Sequence, residues 1–206
     1  MSTTIPFIYK YKPERFKDFQ IDNDIITILN TMISMNNLNI LFVGDSGSGK
    51  TCLVNALMKE YYGDILYRDD ILVINSLKEQ GIHYYRTDVK TFCQTRCSIP
   101  NKKKVVVLDD IDNINEQSQQ VFRNCIDKYS NNVHFISSCS NVQKVIDSLQ
   151  SRQIIIKMKP LSSIYLNNIL QDVKNRENIS MDEMAEKFVL ELASGSVRIL
   201  LNYLEK

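Results

Sequence analysis

The sequence predicts an α/β fold, a five-stranded parallel sheet with flanking helices, followed by a small helical domain. Three observations point there. Short apolar runs alternate with helix-period segments as far as Lys157, the layout of a parallel sheet with crossover helices. The apolar runs are nearly continuous rather than alternating, as strands covered on both faces require. Beyond Lys159-Pro160 no strand-like run appears, and only helical periodicity remains.

The elements follow in order. Asp24–Met35 reads as a helix and Ile40–Val43 as a short buried strand. That strand enters the octapeptide Gly44–Thr51, GDSGSGKT, which fits G-x-x-x-x-G-K-[ST] at every fixed position. A helix over Gly49–Tyr61 follows, so strand, glycine loop and helix stand in the order the motif needs. Gly44, Gly47 and Gly49 let the backbone wrap a polyphosphate with its N–H groups inward, and Asp45, Ser46, Ser48 and Cys52 complete the stretch. The helix adds its positive dipole end to the same anion. Lys50 is placed to reach the outer phosphates and the Thr51 hydroxyl to ligate Mg²⁺.

Next come a strand at Ile71–Ile74, a helix at His83–Cys93 and a strand at Val105–Leu108 that ends in Asp109-Asp110. An apolar strand closing on two acids has the form of a Walker B element. Asp109 would hold the magnesium shell, and Asp110 would orient or deprotonate the attacking water. Two acids after a strand are weak on their own. Behind a phosphate loop in an alternating chain they are strong, because a parallel sheet delivers its strand ends to one edge. Asp112 reads more simply as a turn or cap residue. A helix at Glu116–Lys128, a strand at Val133–Ser137, a helix at Val142–Leu149 and a strand at Ile154–Lys157 complete the first domain, residues 1–159. Pro160 disfavours helix in the residue before it and sets the boundary. Residues 160–206 then form two helical stretches, Ser162–Glu177 and Met181–Glu205, with a turn at Asn178-Ile179-Ser180.

Composition excludes several classes. A chain of 206 residues buries roughly 70% of its unfolded surface, enough for one α/β domain and a small appendage. A net charge of +1 gives no global basic excess, so any nucleic-acid surface is local. No leader with a charged region and apolar core stands at Met1-Ser2-Thr3-Thr4, and no run has the length of a membrane span. The five cysteines are odd in number and lack paired knuckles, which reads as reduced thiols in a nuclear or cytoplasmic compartment.

On further motifs the chain resembles AAA+ clamp-loader ATPases, the replication factor C small subunits. Pro6-Phe7-Ile8-Tyr9-Lys10-Tyr11-Lys12-Pro13 is similar to the family's P-W-x-x-K-Y-R-P arm, which implies adenine contacts from Tyr9, Tyr11 and Pro13. Asn75-Ser76, Glu79 and Gly81-Ile82 match its N-A-S-D-E-R-G-I stretch in part, and Gln119-Gln120 and Arg123 its Q-Q-A-L-R. Ser138-Cys139-Ser140-Asn141 resembles the strand end carrying sensor 1, which implies that role for Asn141. Leu149-Gln150-Ser151-Arg152-Gln153 resembles L/I-Q-S-R-C, whose arginine enters the neighbouring subunit's ATP site in trans. Gly195-Ser196-Val197-Arg198 resembles the sensor 2 G-D-x-R, which implies that Arg198 folds the lid onto nucleotide. Asn141 also suits a helix cap, and Arg152 and Arg198 also suit solvated faces.

Three departures accompany the resemblance. Asp110 stands where the family has Glu, and misplacing a reacting group by about 1 Å can cost roughly 100-fold in rate. Gln153 replaces the cysteine of S-R-C, a packing change. The matching region ends after sensor 2, so the resemblance implies an abbreviated form without the family's helical collar. Arg86 and Lys90, four residues apart and hence on one helical face, with Arg96 beyond, suit phosphate contacts to primer–template DNA without sequence preference. The resulting expectation is an ATP-binding and ATP-hydrolysing subunit of a sliding-clamp loader acting in DNA replication or repair. Its expected partners are other loader subunits, a clamp and DNA. The alternatives are a non-hydrolysing AAA+ adaptor and another AAA+ initiator or helicase loader.

Overall fold

The computed structural model describes residues 5–63, 68–75 and 82–206. A short helix α1 (Phe7–Lys10) opens the described chain, and a 3-10 turn at Phe16–Asp18 leads towards α2 (Asn23–Ser34). Then come β1 (Ile40–Val43), α3 (Lys50–Tyr62), β2 (Ile71–Asn75), α4 (Ile82–Gln94), β3 (Lys104–Asp109) and α5 (Glu116–Tyr129). They are followed by β4 (Val133–Cys139), α6 (Asp147–Gln150) and β5 (Ile154–Lys157), and by three lid helices, α7 (Ser163–Glu177), α8 (Glu183–Ala193) and α9 (Val197–Leu204).

The five strands form one parallel sheet in the order β2-β3-β4-β1-β5. Successive strand residues point to opposite faces, which explains why the apolar runs are unbroken. Ile40, Phe42, Val105 and Val107 pack with Leu53 and Leu57 on one face. Leu41, Val106, Leu108 and Phe135 pack with Phe122 and Ile126 on the other. A third core lies in the lid, where Leu166, Leu170, Val189, Leu200 and Leu201 meet. Phe7 and Tyr11 of the N-terminal arm pack against that lid core.

Two expected helices are divided. Val142–Leu149 is a 3-10 turn (Val142–Lys144) and the short α6, with Val145 and Ile146 extended between them. Side chains satisfy the backbone there. Gln119 donates to the Lys144 carbonyl (2.9 Å) and accepts the Ile146 N–H (2.9 Å), while Gln150 donates to the Val145 carbonyl (2.7 Å). The stretch Met181–Glu205 breaks at Ser194-Gly195, both left-handed (φ 44 and 88), to give α8 and α9. A glycine ending one helix permits this reversal, and Asp182 caps α8 by accepting the Ala185 N–H. Gln153 is buried and donates to the carbonyls of Ile40 and Phe135 (3.1 and 3.0 Å), fixing the entry to β5.

Candidate nucleotide-binding site

The register aligns the carboxyl ends of the central strands. Val43 of β1 pairs with Cys139 of β4 and Lys157 of β5, and Leu108 of β3 pairs with Ser137. Gly44, Asp109-Asp110 and Ser140 therefore leave the sheet along one edge. Above that edge lies a cleft of about 990 Å³, walled by residues 46–52, the strand ends, the N-terminal arm and the lid.

The phosphate loop is built as its glycines require. Gly47 and Gly49 are left-handed (φ 83 and 91), a conformation without steric cost only for glycine. Gly44 answers a different need: a Cβ there would stand 2.7 Å from the Met158 carbonyl oxygen. A Cβ on Gly47 would stand 2.9 Å from the Ser196 hydroxyl, so the loop touches the lid at this point. Lys50 is buried, and its ammonium donates to the carbonyls of Gly44 (2.6 Å) and Asp45 (3.0 Å). Gly44 and Asp45 thus serve through their carbonyls, while residues 46–52 face the cleft. Burial pushes the Cys52 thiol up, so it stands in the wall as a neutral group.

The acids sit where the strand-end reading placed them. Thr51 Oγ1 donates to Asp109 Oδ2 (3.1 Å), and the Ser138 hydroxyl donates to Asp109 Oδ1. A hydroxyl and a carboxylate side by side, facing a phosphate loop, fit Mg²⁺. That ion takes few protein oxygens and fills its shell with water and phosphate. No cluster of three or more His, Cys, Asp or Glu side chains suited to a metal occurs among the described residues. Asp110 is left-handed (φ 54, ψ 51), a conformation a short polar side chain tolerates. Its N–H donates to Ser138 Oγ (3.1 Å). Burial, and then the neighbouring Asp109 charge, hold the Asp110 carboxyl above the usual carboxylate range, with Lys50 opposing.

The structure departs from the expected roles most clearly at the end of β4. Both Ser140 and Asn141 are exposed, and of the two Ser140 lines the cleft. The Asn141 carboxamide accepts the Gln143 N–H (2.9 Å) and caps the following turn. Asp112, read from sequence as a turn residue, accepts the N–H groups of Ser140 (3.1 Å) and Asn141 (2.9 Å). Its other oxygen is buried without a hydrogen-bond partner. The signal for it was present in the sequence: a third acid two residues beyond Asp110.

Of the arm, Tyr11 and Pro13 line the cleft, while Tyr9 is 70% exposed and does not. The Tyr11 hydroxyl donates to Glu177, the last residue of α7, and Lys10 Nζ lies 2.6 Å from the same carboxylate. Burial and the Glu177 charge push the Tyr11 hydroxyl up to about 12. Arg198, in the first turn of α9, lines the cleft from the lid side. Arg152 lies away from the cleft beside Asp127, and Arg86 and Lys90 are exposed on α4. Arg96 follows the end of that helix rather than continuing it. Ser76, Glu79 and Gly81, and the side chain of Ile82, lie outside the described residues.

A model of the family described as ATPase family associated with various cellular activities (AAA) matches residues 40–161. The chain is 31% identical over 204 residues to replication factor C subunit 3 of Schizosaccharomyces pombe, covering 98% of this chain and 59% of that protein. It is 32% identical over 201 residues to the replication factor C small subunit of Methanococcus maripaludis, covering 97% and 64%. The chain thus spans about 59–64% of the length of these curated relatives. Among solved structures, the Thermotoga maritima RuvB Holliday junction branch migration motor superposes with a TM-score of 0.74. At 15% identity, covering 94% of this chain and 64% of that one, it is a likeness of fold.

Proposed function

The chain belongs to the AAA family of ATPases, and from that membership we propose that it binds and hydrolyses ATP as a subunit of a loader that places sliding clamps on primed DNA. One observation carries the nucleotide part. The phosphate loop, the Thr51–Asp109 pair and Arg198 of the lid converge on one cleft. In this reading the loop N–H groups and Lys50 hold the β- and γ-phosphates, Thr51 and Asp109 hold Mg²⁺, and Asp110 positions the attacking water. Tyr11 and Pro13 border the base, and Arg198 ties the lid to the phosphates. The magnesium ion, when bound, neutralises the charge developing on the phosphates.

The clamp-loader part is supported by the two replication factor C relatives and by their cover of nearly all of this chain. The proposed partners are other loader subunits, a sliding clamp and primer–template DNA, with Arg86 and Lys90 contacting phosphates. Arg152, remote from its own cleft, is proposed to act on a neighbour's ATP. All five cysteines are free, which supports a nuclear or cytoplasmic setting. Among the described residues no helix is long and apolar enough to cross a membrane.

A second reading rests on Asp110. Its carboxylate stands one methylene nearer the backbone than the glutamate of the resembled family, which favours an adaptor that binds ATP without turning it over. One assay separates the two: ATP turnover by the purified chain, alone and with primed DNA and a candidate clamp. Stimulation by both supports the loader, and tight ATP binding without turnover in any combination supports the adaptor.

A further inference from the structure

We propose that Asp127 is a positioning residue for Arg152, bracing the guanidinium just before β5 so that one of its nitrogens is presented to a neighbouring subunit. The inference rests on the proposed action of Arg152 on a neighbour's ATP and assigns the residue that aims it.

Arg152 lies at the opposite end of the sheet from its own phosphate loop. The register sets Ile154 beside Ile40, at the start of β1, whereas the loop leaves the far end of that strand after Val43. The root of the side chain is fixed from both sides. The Arg152 N–H donates to the Leu149 carbonyl (3.1 Å). The next residue, Gln153, is buried and tied to two strand carbonyls.

The tip is fixed as well. Nε donates to Asp127 Oδ1 and Nη1 to the Ser148 carbonyl, each at 2.5 Å. Helix ends leave carbonyls without intrahelical partners, and α6 supplies this one. Arg123 steadies the acid from its other side, with Nη1 3.6 Å from Asp127 Oδ2. Among the described residues Nη2 of Arg152 has no hydrogen-bond partner, and it is not one of the buried polar atoms. The guanidinium is thus held through two nitrogens and open to solvent at the third. Two arginines share one carboxylate, which leaves the group one positive charge for an incoming phosphate.

Magnitudes separate a brace from a stabilising contact. The Asp127 side chain is 44% exposed and that of Arg152 30%, and ion pairs in such positions contribute little to stability. An arginine has much rotamer freedom to lose, and restoring all of it is worth roughly 30-fold in rate. Removing Asp127 should therefore cost turnover far more than folding. Contact through Nη2 leaves the pair with Asp127 intact, so the acid acts as a brace and not as a lock.

Two measurements test this. In the isolated chain, the Nε–H resonance of Arg152 should report a rigid side chain in wild type and a mobile one in Asp127→Ala. Equal mobility in the two overturns the inference. The second measurement is ATP turnover at rising protein concentration, in wild type, Asp127→Ala, Asp127→Glu, Arg152→Ala and the double variant. Asp127→Ala should lower turnover by about three- to 30-fold, with ATP affinity and thermal midpoint near those of wild type. Asp127→Glu should restore part of the rate, and the double variant should be no slower than Arg152→Ala. Mixed with Lys50→Ala, whose finger and brace are intact, Asp127→Ala should regain turnover, and mixed with Arg152→Ala it should not. Faster turnover in Asp127→Ala would make the acid a lock and overturn the inference, as would a wild-type rate beside an inactive Arg152→Ala. A wild-type rate in Arg152→Ala removes instead the trans-finger reading beneath it. Turnover absent at every concentration removes the hydrolysis reading and the inference together.

Discussion

Arg152 is bound to Asp127 across the gap between the α6–β5 turn and α5, with Nε 2.5 Å from Oδ1. Its Nη1 donates to the Ser148 carbonyl at 2.5 Å, and Arg123 approaches the same Asp127 from one helical turn away (3.6 Å). The pairing holds the Asp127 carboxyl below the usual carboxylate range.

Arg152→Ala should leave the chain's own ATP affinity unchanged and lower turnover in the assembled protein by about a thousandfold or more, the effect of a finger supplied in trans. Mixing it with Lys50→Ala tests this, since one variant keeps a pocket and the other a finger. Activity regained on mixing is expected of a self-assembling chain. Turnover by a monomer, indifferent to both concentration and Arg152→Ala, would rule the role out.

Lys50→Ala should abolish nucleotide binding with the fold retained. The hydrogen-bond partners of Lys50 are two loop carbonyls, and the fold's apolar cores are built without it. Binding of a fluorescent ATP analogue, with far-ultraviolet circular dichroism as the fold control, measures both.

Asp110→Asn should remove turnover and spare Mg²⁺·ATP binding, whereas Asp109→Asn should raise the Mg²⁺ concentration needed for binding. Asp110→Glu should raise turnover if side-chain length is what limits it. Equal rates in wild type, Asp110→Asn and Asp110→Glu would place the water-positioning group elsewhere.

Glu177→Ala releases both Tyr11 and Lys10 from the lid. ATP affinity should fall by about two- to tenfold, the range of a lost hydrogen bond, with turnover at saturating ATP unchanged. Tyr11→Phe should reproduce part of that loss. A fall in saturated turnover with affinity intact would show that the arm does not border the base.

His134 is fully buried, and burial with the nearby charges of Lys103 and Lys102 lowers its pKa to about 3. Its Nδ1 accepts the Leu38 N–H (3.2 Å), so the proton of the neutral ring is on Nε2, facing Tyr61 and Asn36. The unfolded chain binds this proton near pH 6.5 and the folded chain does not until about pH 3. Stability should therefore rise with pH between these limits and level off above about pH 7. Urea midpoints from pH 4 to 8 should show this slope, and His134→Gln should flatten it.

The sheet was legible because its inner strands are covered on both faces, so that Val105–Leu108 and Ile40–Val43 are apolar without interruption. The phosphate loop was legible because glycine conformation and lysine charge fix residue types at fixed spacing. What escaped depends on side chains meeting across the chain. Gln119 ends one helix by bonding residues 144 and 146, which no local pattern around Val142 reveals. Asn141 and Ser140 are both polar, and only Asp112 and the strand register decide which one faces the cleft. Ser194-Gly195 is the exception, since a glycine within a helical run is itself a local stop signal.

The crowding of Gly44 against the Met158 carbonyl bears on how this loop could decay under mutation. A side chain at 44 is excluded by packing whether or not a nucleotide is ever bound. Selection for folding alone would therefore keep that glycine in a descendant that had abandoned ATP. Lys50 enjoys no such protection, since neither of its carbonyl partners requires a cation. In a lineage drifting away from catalysis, the lysine would be replaced first and the glycine would persist as a relic.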